Sequence, residues 1–223
     1  MITFDVGQTL VELDLDFLCL RLGERGVSAD VAALVAAAPA AWDLYDRLVD
    51  AGHAHPWHAL MDALLAGAGV SDRADLVDWL WSEQPRKNLW RRPIPAMVEL
   101  ARDLAAREIR LGIVSNSEGR LAELLSEIAI AEPFAVVVDS GRFGIAKPDR
   151  RIFDHALAEL GATGARALHI GDSWAADVQG ALGAGWDAVW YGRSAGPVAD
   201  PRVTSARDPE AARAAIERWL ALL

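Results

Sequence analysis

The 223-residue sequence is long enough for one large domain, or for a core with a substantial insertion. At 52% hydrophobic and 24% charged, it reads as a packed globular protein rather than a disordered one. A formal charge of −10 argues against general affinity for nucleic acid or for anionic membranes. The first residues carry no basic leader, and no apolar run approaches the roughly 18 residues needed to span a bilayer. The expectation is a soluble, cytoplasmic protein with no nucleic-acid or membrane partner. The single cysteine, Cys19, cannot form an internal disulfide, and its setting "DFLCLRL" reads as a buried small hydrophobe.

In chain order, "ITFDV" is a short strand that runs straight into a carboxylate, Asp5, followed by Gly7 and Thr9. Residues 13–90 show no convincing strand. Helical stretches are expected at Leu13–Leu22, Ala29–Ala51, Trp57–Ala66 and Asp72–Ser82, with a break at Pro39 inside "AALVAAAPAA". From residue 93 the pattern changes. The near-continuous apolar runs Ile109–Ser115, Phe134–Ser140, Arg166–Asp172 and Trp186–Tyr191 suit strands buried on both faces. Between them, Met97, Leu100, Ala101 and Leu104 recur at helical spacing, as do Ile152, Phe153, Ala156, Leu157 and Leu160. Pro209–Leu222 reads as a closing helix. Strands alternating with helices predict an α/β fold, with a Rossmann-like parallel sheet core at 1–12 and 91–223. Residues 13–90, wholly helical and lying between the first strand and its next partner, read as an inserted cap.

In open parallel sheets, ligands bind beyond the carboxyl ends of the strands. Polar residues interrupt the apolar pattern at four such places. Asp5 ends the first strand, and Ser115-Asn116 ends "LGIVSN". Lys147 precedes Pro148 in "GIAKPD". Asp172 ends "ALHIGD", with Asp177 five residues on. Each has an ordinary alternative. Ser-Asn and the two aspartates could cap helices, and a lysine before proline is commonly solvated. As a set they suit phosphoryl chemistry. Asp5 and Asp172 offer hard oxygens for Mg²⁺, which takes few carboxylates together with water and phosphate. Ser115 could donate to a phosphoryl oxygen, and Lys147 is a point charge for it. A carboxylate can also attack phosphorus covalently.

These stretches resemble the four motifs of the haloacid dehalogenase superfamily: "FDVGQTL", "IVSN", "AKPD" and "IGDSWAADVQGA". The insert resembles the helical cap of the subgroup that holds phosphoglycolate phosphatase-like enzymes and dehalogenases. The resemblance implies a phosphatase of small phosphorylated metabolites whose nucleophile, Asp5, forms an aspartyl-phosphate. Mg²⁺ would be held by Asp5, the main-chain carbonyl of Gly7 and Asp172, with Asp177 in support. Ser115 and Lys147 would hold the phosphoryl group, and Asn116 would help through its amide. The cap would close over the site during transfer.

The family's phosphatases carry a second aspartate where this chain has Gly7. That residue moves protons, a contribution worth roughly 10²–10⁴-fold. Two other readings therefore stay open. One is a protein that binds phosphate and metal but turns over little. The other, less supported, is a metal-free dehalogenase, against which three carboxylates near one site argue. A Schiff-base hydrolase is disfavoured because the chain has only two lysines, Lys87 and Lys147. His53, His55 and His58 in "AGHAHPWHAL" could supply a proton, or could simply cap a helix or sit in solvent. Trp42, Trp57, Trp79, Trp81 and Trp90 are expected to pack the cap and its seam.

Overall fold

The first strand, β1 (Ile2–Phe4), is too short to hold itself in place, yet it lies at the centre of the fold. It does so because every residue in it is buried and both of its edges are paired. The computed structural model of the chain describes residues 1–53, 55–71, 73–162 and 164–222. Its contacts divide it into two units, Met1–Glu12 with Trp90–Leu223, and Leu13–Leu89.

In chain order the elements are β1, β2 (Val11–Leu13), α1 (Leu15–Gly23), α2 (Val31–Asp50), α3 (Trp57–Gly67) and α4 (Arg73–Glu83). After these come β3 (Trp90–Pro93), α5 (Pro95–Ala106), β4 (Leu111–Ser115), α6 (Leu121–Glu127), β5 (Val136–Asp139) and α7 (Ser140–Phe143). Then follow α8 (Arg150–Glu159), β6 (Leu168–Gly171), a π-helical turn (Trp174–Val178) and α9 (Gln179–Gly183). The chain closes with β7 (Asp187–Tyr191), β8 (Val203–Ala206) and α10 (Pro209–Leu220).

Six strands form one parallel sheet in the order β5-β4-β1-β6-β7-β8. The α/β parallel-sheet class expected from the sequence is what the structure has. Phe4 sits opposite Ile113 of β4 and Ile170 of β6, so three strand ends reach the same level. The order turns back at β1, since β4 and β5 lie to one side and β6 to β8 to the other. Such a switch point leaves a crevice beyond the strand ends. Helices cover both faces. On one, α5, α6 and α10 pack Met97, Leu100, Leu125 and Ile216 against Phe4, Ile113 and Ile170. On the other, α8 and α9 pack Ile152, Phe153 and Ala181 against Val114, Val138 and Ala188. Each such large side chain contributes about 1.5–3 kcal/mol on burial.

The second unit contains helices α1 to α4. Asp14 caps α1 by accepting from the Phe17 amide at 2.9 Å, and Asp30 caps α2 through the Ala32 amide at 3.2 Å. The break expected at Pro39 does not occur, and α2 runs unbroken through it. Proline there removes the bond to the carbonyl four residues back, at Val35, a residue 55% exposed to solvent. Packing of α2 along α3 then holds the axis. The fourth helix begins at Arg73; its expected first residue, Asp72, lies outside the described residues. Cys19 is half-buried rather than fully buried, and its Sγ donates to the Ala29 carbonyl at 3.4 Å. Burial, then Asp16 and Asp30, push its thiol above the usual range. The two-stranded β2–β3 pair, β8 and the π-helical turn went unread in the sequence. β2, β3 and β8 are only three or four residues long, too short for a periodic pattern to stand out. Among the described residues, no helix is long and apolar enough to cross a membrane.

Candidate active site

Asp5 follows β1 directly, anchored by its own amide to the Ile170 carbonyl of β6 at 2.8 Å. The chain then turns tightly. The Val6 carbonyl accepts from the amides of Thr9, Leu10 and Val11, and Gln8 takes a left-handed φ of 54°. Gly7 is not left-handed, and its carbonyl accepts none of the backbone bonds that close this turn. A Cβ built on Gly7 would meet Cδ1 of Trp90 at 3.6 Å, an ordinary contact. The position tolerates a side chain, and Trp90 lines the space that one would enter.

Lys147 lies in the loop before α8. The alternative of a solvated lysine before proline does not hold, since Lys147 is 5% exposed. Asn116 fixes its main chain from both sides, accepting from the Lys147 amide at 2.8 Å and donating to its carbonyl at 3.1 Å. The ammonium donates to Asp5 Oδ1 at 2.7 Å, to the Val114 carbonyl at 2.8 Å and to Asp177 Oδ1 at 2.5 Å. Three donors thus meet three acceptors. Burial alone would favour the neutral amine, but Asp177 and Asp5 outweigh it and hold Lys147 above its ordinary range.

Asp172 and Asp177 follow β6. Ser173, not either aspartate, caps the π-helical turn, through the Ala176 amide at 3.2 Å. That turn brings Asp177 back over the strand end. The approach is so close that a Cβ at Gly171 would stand 2.2 Å from the Asp177 Cγ, so only glycine fits there. Asp177 is buried and accepts from Lys147 and His169 at Oδ1, and from the Ser173 amide at Oδ2, 2.8 Å away. Burial opposes its ionisation, but Lys147 and the His169 hydrogen bond hold it below the carboxylate range. Trp190 fixes the backbone of Asp172 by donating Nε1 to its carbonyl at 3.0 Å. Asp172 is pushed well above the carboxylate range, by burial and then by the charges of Asp177 and Asp5.

Carboxylate oxygens of Asp5, Asp172 and Asp177 lie within 4.8 Å of one another. Three such groups repel, and that repulsion adds to burial in raising Asp172. A hard divalent cation fits this donor set, and Asp5 and Asp172 suit it best. Asp177 is already largely taken up by three donors. Ser115 ends β4, buried and in register with Asp139 of β5. Asp139 in turn accepts from the amides of Gly119, Leu121 and Gly141, fixing the loop after Ser115. Asn116 serves the Lys147 loop and not a helix terminus.

Two participants escaped the sequence reading. Thr3 and His169 are fully buried, and they face each other in register on β1 and β6. The signal was present, since each is a lone polar residue inside an apolar strand. By contrast, His53, His55 and His58 are exposed in the second unit. His55 Nδ1 lies 3.2 Å from the Tyr45 hydroxyl, and His58 lies 3.6 Å from Asp78. Trp57 packs on Trp81, Trp42 meets Tyr45 edge-on, and Trp79 lies under the Arg21 guanidinium.

The molecule is an α/β protein whose parallel sheet gathers carboxylates at its switch point, where such folds bind their ligands. Residues 2–185 match the family of haloacid dehalogenase-like hydrolases, and the chain belongs to that family. It is 33% identical over 152 residues to the phosphoserine phosphatase of Thermus thermophilus, covering 67% of this chain and 56% of that protein. The chain spans about half the length of the curated relatives it matches. The magnesium-bound HAD-hydrolase YfnB of Bacillus subtilis superposes with a TM-score of 0.69 at 21% identity, over 96% of this chain and 97% of that one. The 2-haloacid dehalogenase of Pseudomonas syringae superposes with a TM-score of 0.60 at 23% identity, over 98% of both chains. At these identities the superpositions speak to fold alone.

Proposed function

We propose that the chain is a Mg²⁺-dependent phosphatase of small phosphorylated metabolites, with Asp5 as nucleophile and with weak proton transfer. The observation that carries this reading is the set of three carboxylates within 4.8 Å, beside a buried lysine bonded to Asp5. The phosphatase among its relatives favours it. Helices α1 to α4 support the reading of this insert as a helical cap.

Asp5 and Asp172, with the Gly7 carbonyl, would hold the ion, which supplies charge stabilisation for the transferring phosphoryl group. Lys147 orients Asp5 through the hydrogen bond from its ammonium, and its charge suits a phosphoryl oxygen placed between them. A carboxylate oxygen of Asp5 attacks phosphorus, and the bond from phosphorus to the leaving oxygen breaks. Water then attacks the phosphorus of the resulting aspartyl-phosphate, releasing phosphate and restoring the carboxylate. Gly7 offers no proton to the leaving oxygen and no base to the water. Leaving groups that depart without a proton, acyl and nitrophenyl, are therefore favoured over sugar alcohols.

A second reading, a phosphate- and metal-binding protein with negligible turnover, is favoured by Gly7 itself. The dehalogenase reading draws only on fold, and the mutual repulsion of the acidic cluster opposes it. A screen of acyl, aryl and alkyl phosphates with and without Mg²⁺, plus a halocarboxylate, separates the three. Mg²⁺-dependent hydrolysis led by acyl and aryl phosphates is expected. Halide release without metal would overturn the proposal, and no turnover of any substrate would favour the binding protein.

A further inference from the structure

Lys147 owes its position to a chain of contacts that continues behind it into the sheet. His169 is 0% exposed, and its Nε2 lies 3.0 Å from Asp177 Oδ1, the oxygen that also takes the lysine. On the other side of the ring, Nδ1 lies 2.8 Å from the Thr3 hydroxyl on the neighbouring strand. The ring stands edge-to-face on Phe153, with centroids 5.2 Å apart. Phe153 is itself held against α9, where a Cβ on Gly180 would approach its ring to 2.8 Å. The imidazole has no room to turn.

We propose that His169, backed by Thr3, is a positioning residue that sets the Asp177 carboxylate and, through it, aims the Lys147 ammonium at Asp5. The roles follow from donor chemistry. An ionised carboxylate only accepts, so the ring hydrogen facing Asp177 must be on Nε2. Thr3 then donates its hydroxyl hydrogen to Nδ1, which fixes the tautomer from behind. Thr3 and Asp5 lie two residues apart and so on one face of β1, as do His169 and Gly171 on β6. The missing side chain of Gly171 is the space the Asp177 carboxylate fills. An apolar residue at 169 would fill the core but leave Asp177 one donor short. The lysine would then be tethered to a carboxylate free to rotate.

This inference rests on the phosphatase reading for its kinetic consequence but not for its geometry, and the test separates the two. With only two lysines in the chain, ¹⁵N-lysine labelling gives an ammonium signal that can be assigned to Lys147 by comparison with Lys87→Arg. Wild type should show His169 neutral with its hydrogen on Nε2, and a slowly exchanging Lys147 ammonium. His169→Gln, which keeps an N–H donor near the Nε2 position, should retain the ammonium signal. His169→Leu should lose or move it. On nitrophenyl phosphate, His169→Leu should lower kcat by about 10–100-fold with KM little changed, and His169→Gln should recover most of it. Should His169→Leu fail to fold, Thr3→Val removes only a hydroxyl and should still speed exchange of the Lys147 ammonium. A ring hydrogen found on Nδ1 overturns the proposal. So does a folded His169→Leu or Thr3→Val with an unchanged Lys147 signal. Loss of the signal in a chain that hydrolyses none of these esters would remove the phosphatase reading and leave the positioning role supported.

Discussion

The two units treat their polar residues in opposite ways. In the sheet unit, Lys147, Asp177, His169 and Thr3 are buried and satisfied by one another. In the helical unit, His53, His55 and His58 sit at the surface, where His58 meets Asp78 at 3.6 Å with both side chains well exposed. Burying a charge costs several kcal/mol unless it is paired and hydrogen-bonded, whereas an exposed pair contributes little. A buried lysine held between aspartates at strand ends therefore points to chemistry. A surface histidine close to an aspartate does not.

The largest expected effect comes from breaking the buried side of this contrast. Lys147→Met leaves Asp5 and Asp177 facing each other with their shared cation gone. It should cost about 3–5 kcal/mol of stability by denaturant titration and remove phosphatase activity. A loss under about 1 kcal/mol would show that the network does not need the lysine.

Next in size is Gly7→Asp. The backbone there is not left-handed, and a Cβ meets Trp90 only at contact distance, so the variant should fold. It should raise alkyl-phosphate hydrolysis by up to about 10²-fold, and acyl-phosphate hydrolysis far less. Equal gains for both classes would show that the missing proton is not what limits the wild type.

On the exposed side, His58→Ala should change stability by under about 0.5 kcal/mol and rates by under about twofold. A rate loss of tenfold or more would assign this histidine a proton the sheet unit lacks. The smallest effect belongs to Asp149, the cap of α8, whose hydrogen bonds from Arg151 lower its carboxyl to about 2. Its folded value lies below the unfolded one of about 3.9, so its contribution to stability is complete above pH 4 and fades as pH falls toward 2. Arg151→Ala should bring the Asp149 pKa back up toward 3.9, as read by carboxyl NMR.

The same contrast explains what was legible in the sequence. Asp5, Ser115 and Asp172 could be singled out because each ends an apolar run where a parallel sheet places its crevice, and Lys147 because it stands just before a helix in the same succession. Their convergence needed the strand order, which no single segment encodes. Thr3 and His169 were passed over because each looks like a tolerated polar residue within a strand. Only the register that sets them side by side gives them a role. Pro39 misled because local propensity marks a break, while the packing of α2 on α3 decides otherwise.

In the proposed reaction Asp5 accepts a phosphoryl group with the help of a cation held at the acidic cluster. Acetyl phosphate with Mg²⁺, acid-quenched within a turnover and followed by peptide mass spectrometry, tests it directly. Phosphate is expected on the peptide containing Asp5, absent without Mg²⁺ and absent in Asp5→Asn. Phosphate on another residue, or labelling of Asp5 that is indifferent to Mg²⁺, would contradict it.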